Sequence, residues 1–247
     1  MNTQTTAEAE IRTDIPKPKN SFYSSFFKRF LDILLSGMAI IVLSPILLII
    51  VILELIYHGR PIFYINQRPG KDGKPFNMYK FRSMTNECDS EGKLLHASKR
   101  ITPFGRLLRR TSLDELAGLF NVFNGTMSII GPRPLLTDYL PLYNERHSHR
   151  HDVRPGLACW NLNNHGDLTA ASWTWNTQFE SDIYYVENVS LWLDIKMVFK
   201  TVQVMFSKNE MRTNADRIRF DGKNLNETRT LKQIIDDERK LAESIAE

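Results

Sequence analysis

From Ile33 to Leu53 the chain carries no charged side chain, and Asp32 and Glu54 bracket an almost purely apolar run. At 1.5 Å of helical rise per residue, about 20 such residues suffice to cross roughly 30 Å of hydrocarbon. A cleaved signal peptide fits poorly, because the run starts late, is too long and lacks a small-residue cleavage site. Ser44-Pro45 lies in the middle of the run. Proline there removes a backbone donor and clashes with the preceding turn. A neighbouring serine hydroxyl can satisfy the freed carbonyl within lipid. The pattern predicts a membrane helix over residues 28–58 that is broken at Ser44-Pro45. Two paths remain open: a spanning helix with a proline kink, or a re-entrant helix–break–helix whose ends share one face.

After Gly59-Arg60 the pattern changes. Pro61 to Arg68 and Pro75 to Arg82 are rich in aromatic and branched residues, and Pro69-Gly70-Lys71-Asp72-Gly73 between them predicts a β-hairpin. Asn86 to Lys99 is polar and reads as a loop. Helix signals resume at Thr102-Pro103 and at Ser112, and Asn124-Gly125 ends the pattern before Met127 to Ile130. Trp173 to Phe206 reads as helical, with Asp182 and Asp194 twelve residues apart and able to return to one face. Residues before Asn20 are polar, with two Lys-Pro pairs, and predict a poorly ordered tail. Beyond Ser207, Leu231, Ile234, Ile235, Leu241 and Ile245 predict an amphipathic helix. The expected fold is α+β and predominantly helical. It divides into a polar tail (1–27), the membrane segment (28–58), a globular domain (59–206) and a polar extension (207–247).

The chain has 247 residues, enough for one substantial domain, and its 42% hydrophobic content allows a buried core. A net charge of +4 does not choose between nucleic acid, anionic lipid and phosphorylated substrate. Its distribution narrows the choice. Lys17, Lys19, Lys28 and Arg29 precede the apolar run, while Arg60, Arg68, Lys71, Lys74, Lys80 and Arg82 follow it. A single span is expected to show a basic imbalance across the membrane, and none is visible, which favours the re-entrant path. No nucleic-acid-binding motif or concentrated basic face is recognisable. Cys88 and Cys159, the two cysteines, share no metal-ligand spacing and fit a reducing compartment.

Candidate chemistry centres on Thr111-Ser112-Leu113-Asp114-Glu115-Leu116. Ser112 and Glu115 have the spacing of a capping box, a purely structural signal. The same turn also presents adjacent carboxylates at a helix start. An aspartate can attack phosphorus, and an adjacent carboxylate can hold Mg²⁺ with substrate phosphates. Arg133, fixed between prolines in Gly131-Pro132-Arg133-Pro134, suits bidentate phosphate recognition or a plain surface turn. Lys80, Arg82, Arg109 and Arg110 either complete an anion pocket or meet lipid headgroups. Arg146-His147-Ser148-His149-Arg150-His151 superficially resembles a metal site, but it is cationic and contains no carboxylate.

Taken in order, these segments resemble the bacterial sugar transferase family, the monotopic phosphoglycosyltransferases. The resemblance begins at Lys28-Arg29-Phe30-Leu31-Asp32 and takes in the apolar helix with Ser44-Pro45, Tyr79-Lys80-Phe81-Arg82-Ser83-Met84 and Ser112-Leu113-Asp114-Glu115-Leu116. It continues through Met127-Ser128-Ile129-Ile130-Gly131-Pro132-Arg133-Pro134, Arg154-Pro155-Gly156 and Asp182-Ile183-Tyr184-Tyr185-Val186, closing with Ser190-Leu191-Trp192-Leu193-Asp194-Ile195-Lys196. It implies transfer of a sugar-1-phosphate from a UDP-sugar to polyprenyl phosphate, with release of UMP, as the priming step of glycoconjugate assembly. By the same resemblance Asp114 is the nucleophile of a covalent intermediate and Glu115 binds Mg²⁺. Lys80, Arg109, Arg133, Asp182 and Asp194 fall on functional positions, with phosphate contact expected of the cations. Also implied are a re-entrant helix in the bacterial inner membrane and a cytoplasmic catalytic domain. Downstream glycosyltransferases and a second copy of the chain are further expected partners. The segment Ala158-Cys159-Trp160-Asn161-Leu162 through Gly166-Asp167 departs from the family pattern, and Ala117-Gly118 stands where Pro-Gln is common. The first departure leaves an alternative, a catalytically silent membrane scaffold that binds anionic lipid or a partner transferase.

Overall fold

A computed structural model of the chain describes residues 12–159, 174–206 and 218–226. Helix α1 runs from Lys28 to Tyr57 and is entered through a π-helical turn, Tyr23–Phe27. Helical structure is assigned without interruption through Pro45, so the expected discontinuity is a proline site inside one element, Lys28–Tyr57. A single hydrogen bond explains why. Pro45 has no N–H to offer the Ile41 carbonyl, and Ser44 Oγ donates to that oxygen instead, at 2.7 Å. Only 17% of the most apolar 18-residue window is buried, whereas a core helix in a soluble protein would be mostly covered.

Both ends of α1 are anchored in the same globular body. At its start, Asp32 Oδ1 accepts from Ser128 Oγ at 3.1 Å and from the Ile129 N–H at 2.9 Å. Arg29 donates to the carbonyls of Val122 and Phe123 at 2.7 and 2.9 Å. At its end, Glu54 is fully buried against His58, whose Nε2 lies 2.8 Å from Thr102 Oγ1. Leu47 and Ile50 pack with Phe81, Phe104, Leu108 and Ala117.

The hairpin forms as its turn residues require. Strands β1 (Phe63–Pro69) and β2 (Pro75–Phe81) pair antiparallel, Phe63 opposite Phe81 and Pro69 opposite Pro75. The left-handed turn conformation falls on Asp72 and Gly73, with φ of 57° and 70°. A short helix α2 (Ala97–Arg100) leads to α3 (Pro103–Thr111), capped by Thr102 Oγ1, which accepts from the Gly105 N–H at 2.9 Å. A 3-10 turn, Leu113–Ala117, runs directly into α4 (Gly118–Asn124). The carbonyls that Arg29 binds belong to the end of α4, where a helix leaves acceptors unsatisfied.

Strand β3 (Ser128–Ile130) pairs in parallel with β4 (Gly156–Ala158), a contact that neither segment's pattern predicted. Between them lie the 3-10 turn Thr137–Leu142, helix α5 (Glu145–Ser148) and the 3-10 turn His149–His151. The expected helical stretch from Trp173 to Phe206 is two helices, α6 (Trp175–Asn188) and α7 (Leu191–Phe206). Asp182 and Asp194 therefore sit on different helices and share no face.

The described part of the N-terminal tail is docked, contrary to its polar appearance. Asp14 accepts from Arg146 at 3.0 Å, and the Lys19 N–H donates to the Val186 carbonyl at 3.2 Å. The amphipathic helix expected through Leu231 and Ile245, and most of the Ala158–Asp167 departure, lie outside the described residues. Outward-facing apolar side chains are concentrated on α1 and extend to Phe123 of α4 and to α7, where Trp192 and Phe199 are 75% and 72% exposed. A patch this extensive marks an interaction surface, and lipid matches its composition.

Candidate active site

Ser112 decides how the carboxylates are presented. Its φ of 57° places it in the left-handed region, where its N–H caps the end of α3 on the Arg109 and Leu108 carbonyls. The Ser112 side chain makes no capping hydrogen bond, so the capping box is corrected. Spacing alone suggested it, but Ser112 closes α3 with its N–H and opens the following 3-10 turn through its carbonyl, which accepts from the Glu115 N–H at 3.2 Å. The chain thereby reverses at once and carries Asp114 and Glu115 in the first turn of the helical stretch that becomes α4. A left-handed non-glycine residue costs about 1 kcal/mol, a form of strain common at functional sites.

Three elements bring cations to this turn. From β2, Lys80 Nζ donates to Glu115 Oε1 at 2.7 Å. From the loop after β3, the Arg133 guanidinium lies 3.7 Å from the same oxygen, an electrostatic contact beyond hydrogen-bond range. At the end of α3, Arg109 is oriented by its Nε–H donating to Ser83 Oγ at 2.7 Å. Glu115 is pushed up by burial, but Lys80 and Arg133 outweigh that and hold it below the ordinary glutamate value. Asp114 behaves oppositely. Burial, then the charge of Glu115, raises it above the usual aspartate value, against the weaker pull of Lys80 and Arg109. Among the described residues no cation reaches ion-pair distance of Asp114. The pair is thus split into one compensated carboxylate and one poorly compensated, more basic one, the better nucleophile of the two.

Lys80, Glu115 and Arg133 open onto a cavity of about 490 Å³. Gly131 and Gly156 fix where Arg133 emerges. A Cβ on Gly156 would lie 2.1 Å from the Gly131 nitrogen, so only glycine lets β3 and β4 approach this closely. Behind Arg133, Asp182 Oδ2 accepts from Arg150 at 2.6 and 3.1 Å, and Arg150 donates to the Arg133 carbonyl at 2.7 Å. Asp182 therefore acts on Arg133 through Arg150 and does not itself line the cavity. Asp194, also expected to bind substrate, lies elsewhere. Its carboxylate accepts from Tyr23 at 2.5 Å, Tyr185 at 2.7 Å and Lys28 at 2.5 Å, tying the start of α1 to α7.

The histidine-rich segment is dispersed among separate partners. His147 meets Glu180, His149 meets Asp152, and His151 packs against Tyr143. Among the described residues no group of three or more His, Cys, Asp or Glu side chains is placed to hold a metal. A cation at Asp114-Glu115 would need ligands from substrate phosphates, which is how Mg²⁺ usually binds. Cys159 is no alternative nucleophile, since burial pushes its thiol up to about 12.

Sequence reasoning missed Arg68, Tyr139, Trp175 and Gln178 as cavity residues. Arg68 was counted among the juxtamembrane basics, yet its Nε is buried without a hydrogen-bond partner among the described residues. Its alternation with Gln67 on a strand beside Lys80 was the available signal; the others depend on α6 folding back over the 3-10 turn.

The sequence profile of the bacterial sugar transferase family matches residues 23–208. The chain belongs to this family. Among its relatives, a sugar transferase of uncharacterised activity from Bacillus subtilis, EpsL, is 42% identical over 76% of this chain and 91% of its own length. The UDP-N-acetylgalactosamine-undecaprenyl-phosphate N-acetylgalactosaminephosphotransferase of Aeromonas hydrophila is 36% identical over 74% of the chain and 44% of its own length. The UDP-glucose:undecaprenyl-phosphate glucose-1-phosphate transferase of Klebsiella pneumoniae is 38% identical over 71% and 39%. The chain thus spans less than half the length of these two transferases. Family membership and the exposed apolar α1 make this sugar transferase a membrane-associated protein.

Proposed function

We propose that the protein transfers a sugar-1-phosphate from a UDP-sugar to undecaprenyl phosphate, releasing UMP. The observation that carries this reading is the split carboxylate pair under the charge of Lys80, Arg109 and Arg133, of which Lys80, Glu115 and Arg133 line a cavity of about 490 Å³ while Asp114 and Arg109 lie outside its lining. In the first step an Asp114 carboxylate oxygen attacks the β-phosphorus of the donor. The new O–P bond forms as the bridging P–O bond breaks, and UMP leaves with that electron pair. In the second step a phosphate oxygen of the lipid attacks the same phosphorus and Asp114 is released. Lys80 and Arg133 would neutralise the phosphoryl oxygens while holding Glu115 ionised. Glu115, with the donor phosphates, is the expected Mg²⁺ ligand. The ion would add charge neutralisation at the diphosphate.

The membrane placement follows the same lines. The rise from Asp32 to Glu54 along α1 is about 33 Å, enough to span hydrocarbon, yet both are buried against one body. A crossing would pull these anchors to opposite faces, so a re-entrant α1 with both ends on the cytoplasmic side of the inner membrane is the favoured path.

Full-length protein incubated with labelled UDP-sugars and undecaprenyl phosphate should release UMP and form a lipid-linked diphosphate sugar. Asp114→Asn should abolish both while membrane association and the melting profile persist. Full turnover by that variant, with the amide intact by mass spectrometry, would sink the nucleophile assignment. Chelation should stop turnover and added Mg²⁺ should restore it; undiminished activity in chelator removes the metal from the mechanism.

A further inference from the structure

The family profile ends at residue 208, but the cavity wall does not. Ile218 and Arg219 line it, and both belong to residues 218–226, a strap without helix or strand. The strap is fastened to α6 at both ends: Trp175 Nε1 donates to the Ile218 carbonyl at 3.0 Å, and the Asn176 N–H donates to the Leu225 carbonyl at 2.9 Å. Between these points Phe220 is 2% exposed, with Tyr139, Tyr143, Trp175 and Phe179 at ring-centroid distances of 5.0–6.0 Å. Tyr139 and Trp175 also line the cavity, so the strap both contributes wall and braces the wall beside it.

Arg219 pairs with Asp138 on the surface, where both side chains are about two-thirds exposed. An ion pair that open adds little to stability. Its effect on the cavity is larger. Arg219 joins Arg68, Lys80 and Arg133, while Glu115 is the one carboxylate among the described lining residues. Even with Arg219 paired to Asp138 and Lys80 and Arg133 sharing Glu115, cations outnumber these carboxylates around the cavity, a balance that favours a polyanion. The strap's aromatic cluster includes no residue of α1, whereas the core beneath the catalytic turn includes Leu47 and Ile50. A lipid acceptor arrives from the α1 side, so the strap faces the other substrate.

We propose that residues 218–225 form the donor-side wall of the cavity, with Arg219 positioning the nucleoside-diphosphate sugar and Ile218, Tyr139 and Trp175 contacting its ring end. This rests on the donor reading above. Because the strap lies outside the family match, it would adapt donor choice in this chain independently of the shared catalytic turn.

The test uses full-length protein in lipid nanodiscs, comparing wild type, Arg219→Ala and Arg219→Lys. Calorimetric titration with UDP alone should show about tenfold weaker binding for Arg219→Ala, the loss of one charge-assisted hydrogen bond, with partial recovery in Arg219→Lys. In turnover the donor KM should rise by a similar factor while kcat/KM for undecaprenyl phosphate stays unchanged. Unaltered UDP affinity, or an equal loss toward both substrates, overturns the proposal. If wild type binds UDP yet releases no UMP from any donor, the proposed function fails, and the UDP titrations still decide the strap. Failure of wild type to bind UDP overturns both.

Discussion

Asp114 and Glu115 are neighbours in sequence and in space, yet their surroundings drive their acidities apart. Lys80 meets Glu115 directly at 2.7 Å and affects Asp114 only through longer-range attraction. If Asp114 is the nucleophile, as proposed, it must be ionised, so activity should be present above its raised pKa and fall as pH drops through it. Lys80→Met removes a charge that lowers both carboxylates. The acid limb of kcat/KM for the donor should therefore move to higher pH, and kcat at the optimum should fall about 10²–10³-fold. A pH–rate profile of the two proteins checks this, and an unmoved limb would separate Lys80 from Asp114. The residue types were legible from the sequence because phosphate chemistry needs carboxylate, lysine and arginine together. Their division of labour was not, because it depends on contacts between residues 35 positions apart.

At the scale of elements, α1 shows how a local rule can be answered locally. Proline in the apolar run leaves the Ile41 carbonyl without its backbone donor, and Ser44 Oγ supplies one within the same turn. The anchors at Asp32 and His58 then hold both ends of α1 to one domain. Cysteines introduced as Lys17→Cys and Lys74→Cys, in a background with Cys88 and Cys159 replaced by serine, should react with an impermeant maleimide from the same side of sealed vesicles. Labelling from opposite sides would establish a spanning α1. The hairpin and the start of α3 were readable because Pro, Gly and Thr act within a few residues of themselves. The parallel pairing of β3 with β4 was not, since it joins short strands separated by more than 20 residues.

Across the whole molecule, the site depends on a buried lattice that no motif displays. Asp182 and Arg150 are both buried, and through the Arg133 carbonyl they hold the loop that aims Arg133 into the cavity. Asp182→Ala would leave the Arg150 guanidinium buried without its partner. It should cost about 3–5 kcal/mol of stability and lower transferase activity with it, seen as an earlier thermal transition. A melting profile equal to wild type would show that another group compensates Arg150. Asp194 illustrates the same scale differently: matched to a functional position by resemblance, it is occupied in fastening α7 to Tyr23 and Lys28.

The sequence alone determined the apolar helix, the hairpin, the paired carboxylates of Asp114-Glu115 and the family, because each rests on periodicity, turn chemistry or short motifs acting over a few residues. Only the tertiary structure decided which carboxylate is compensated, that Asp182 lies behind the site and Asp194 away from it, and that a strap beyond the family match walls the cavity. Those outcomes depend on burial and on charge–charge distances between remote segments, which spacing along a chain does not encode.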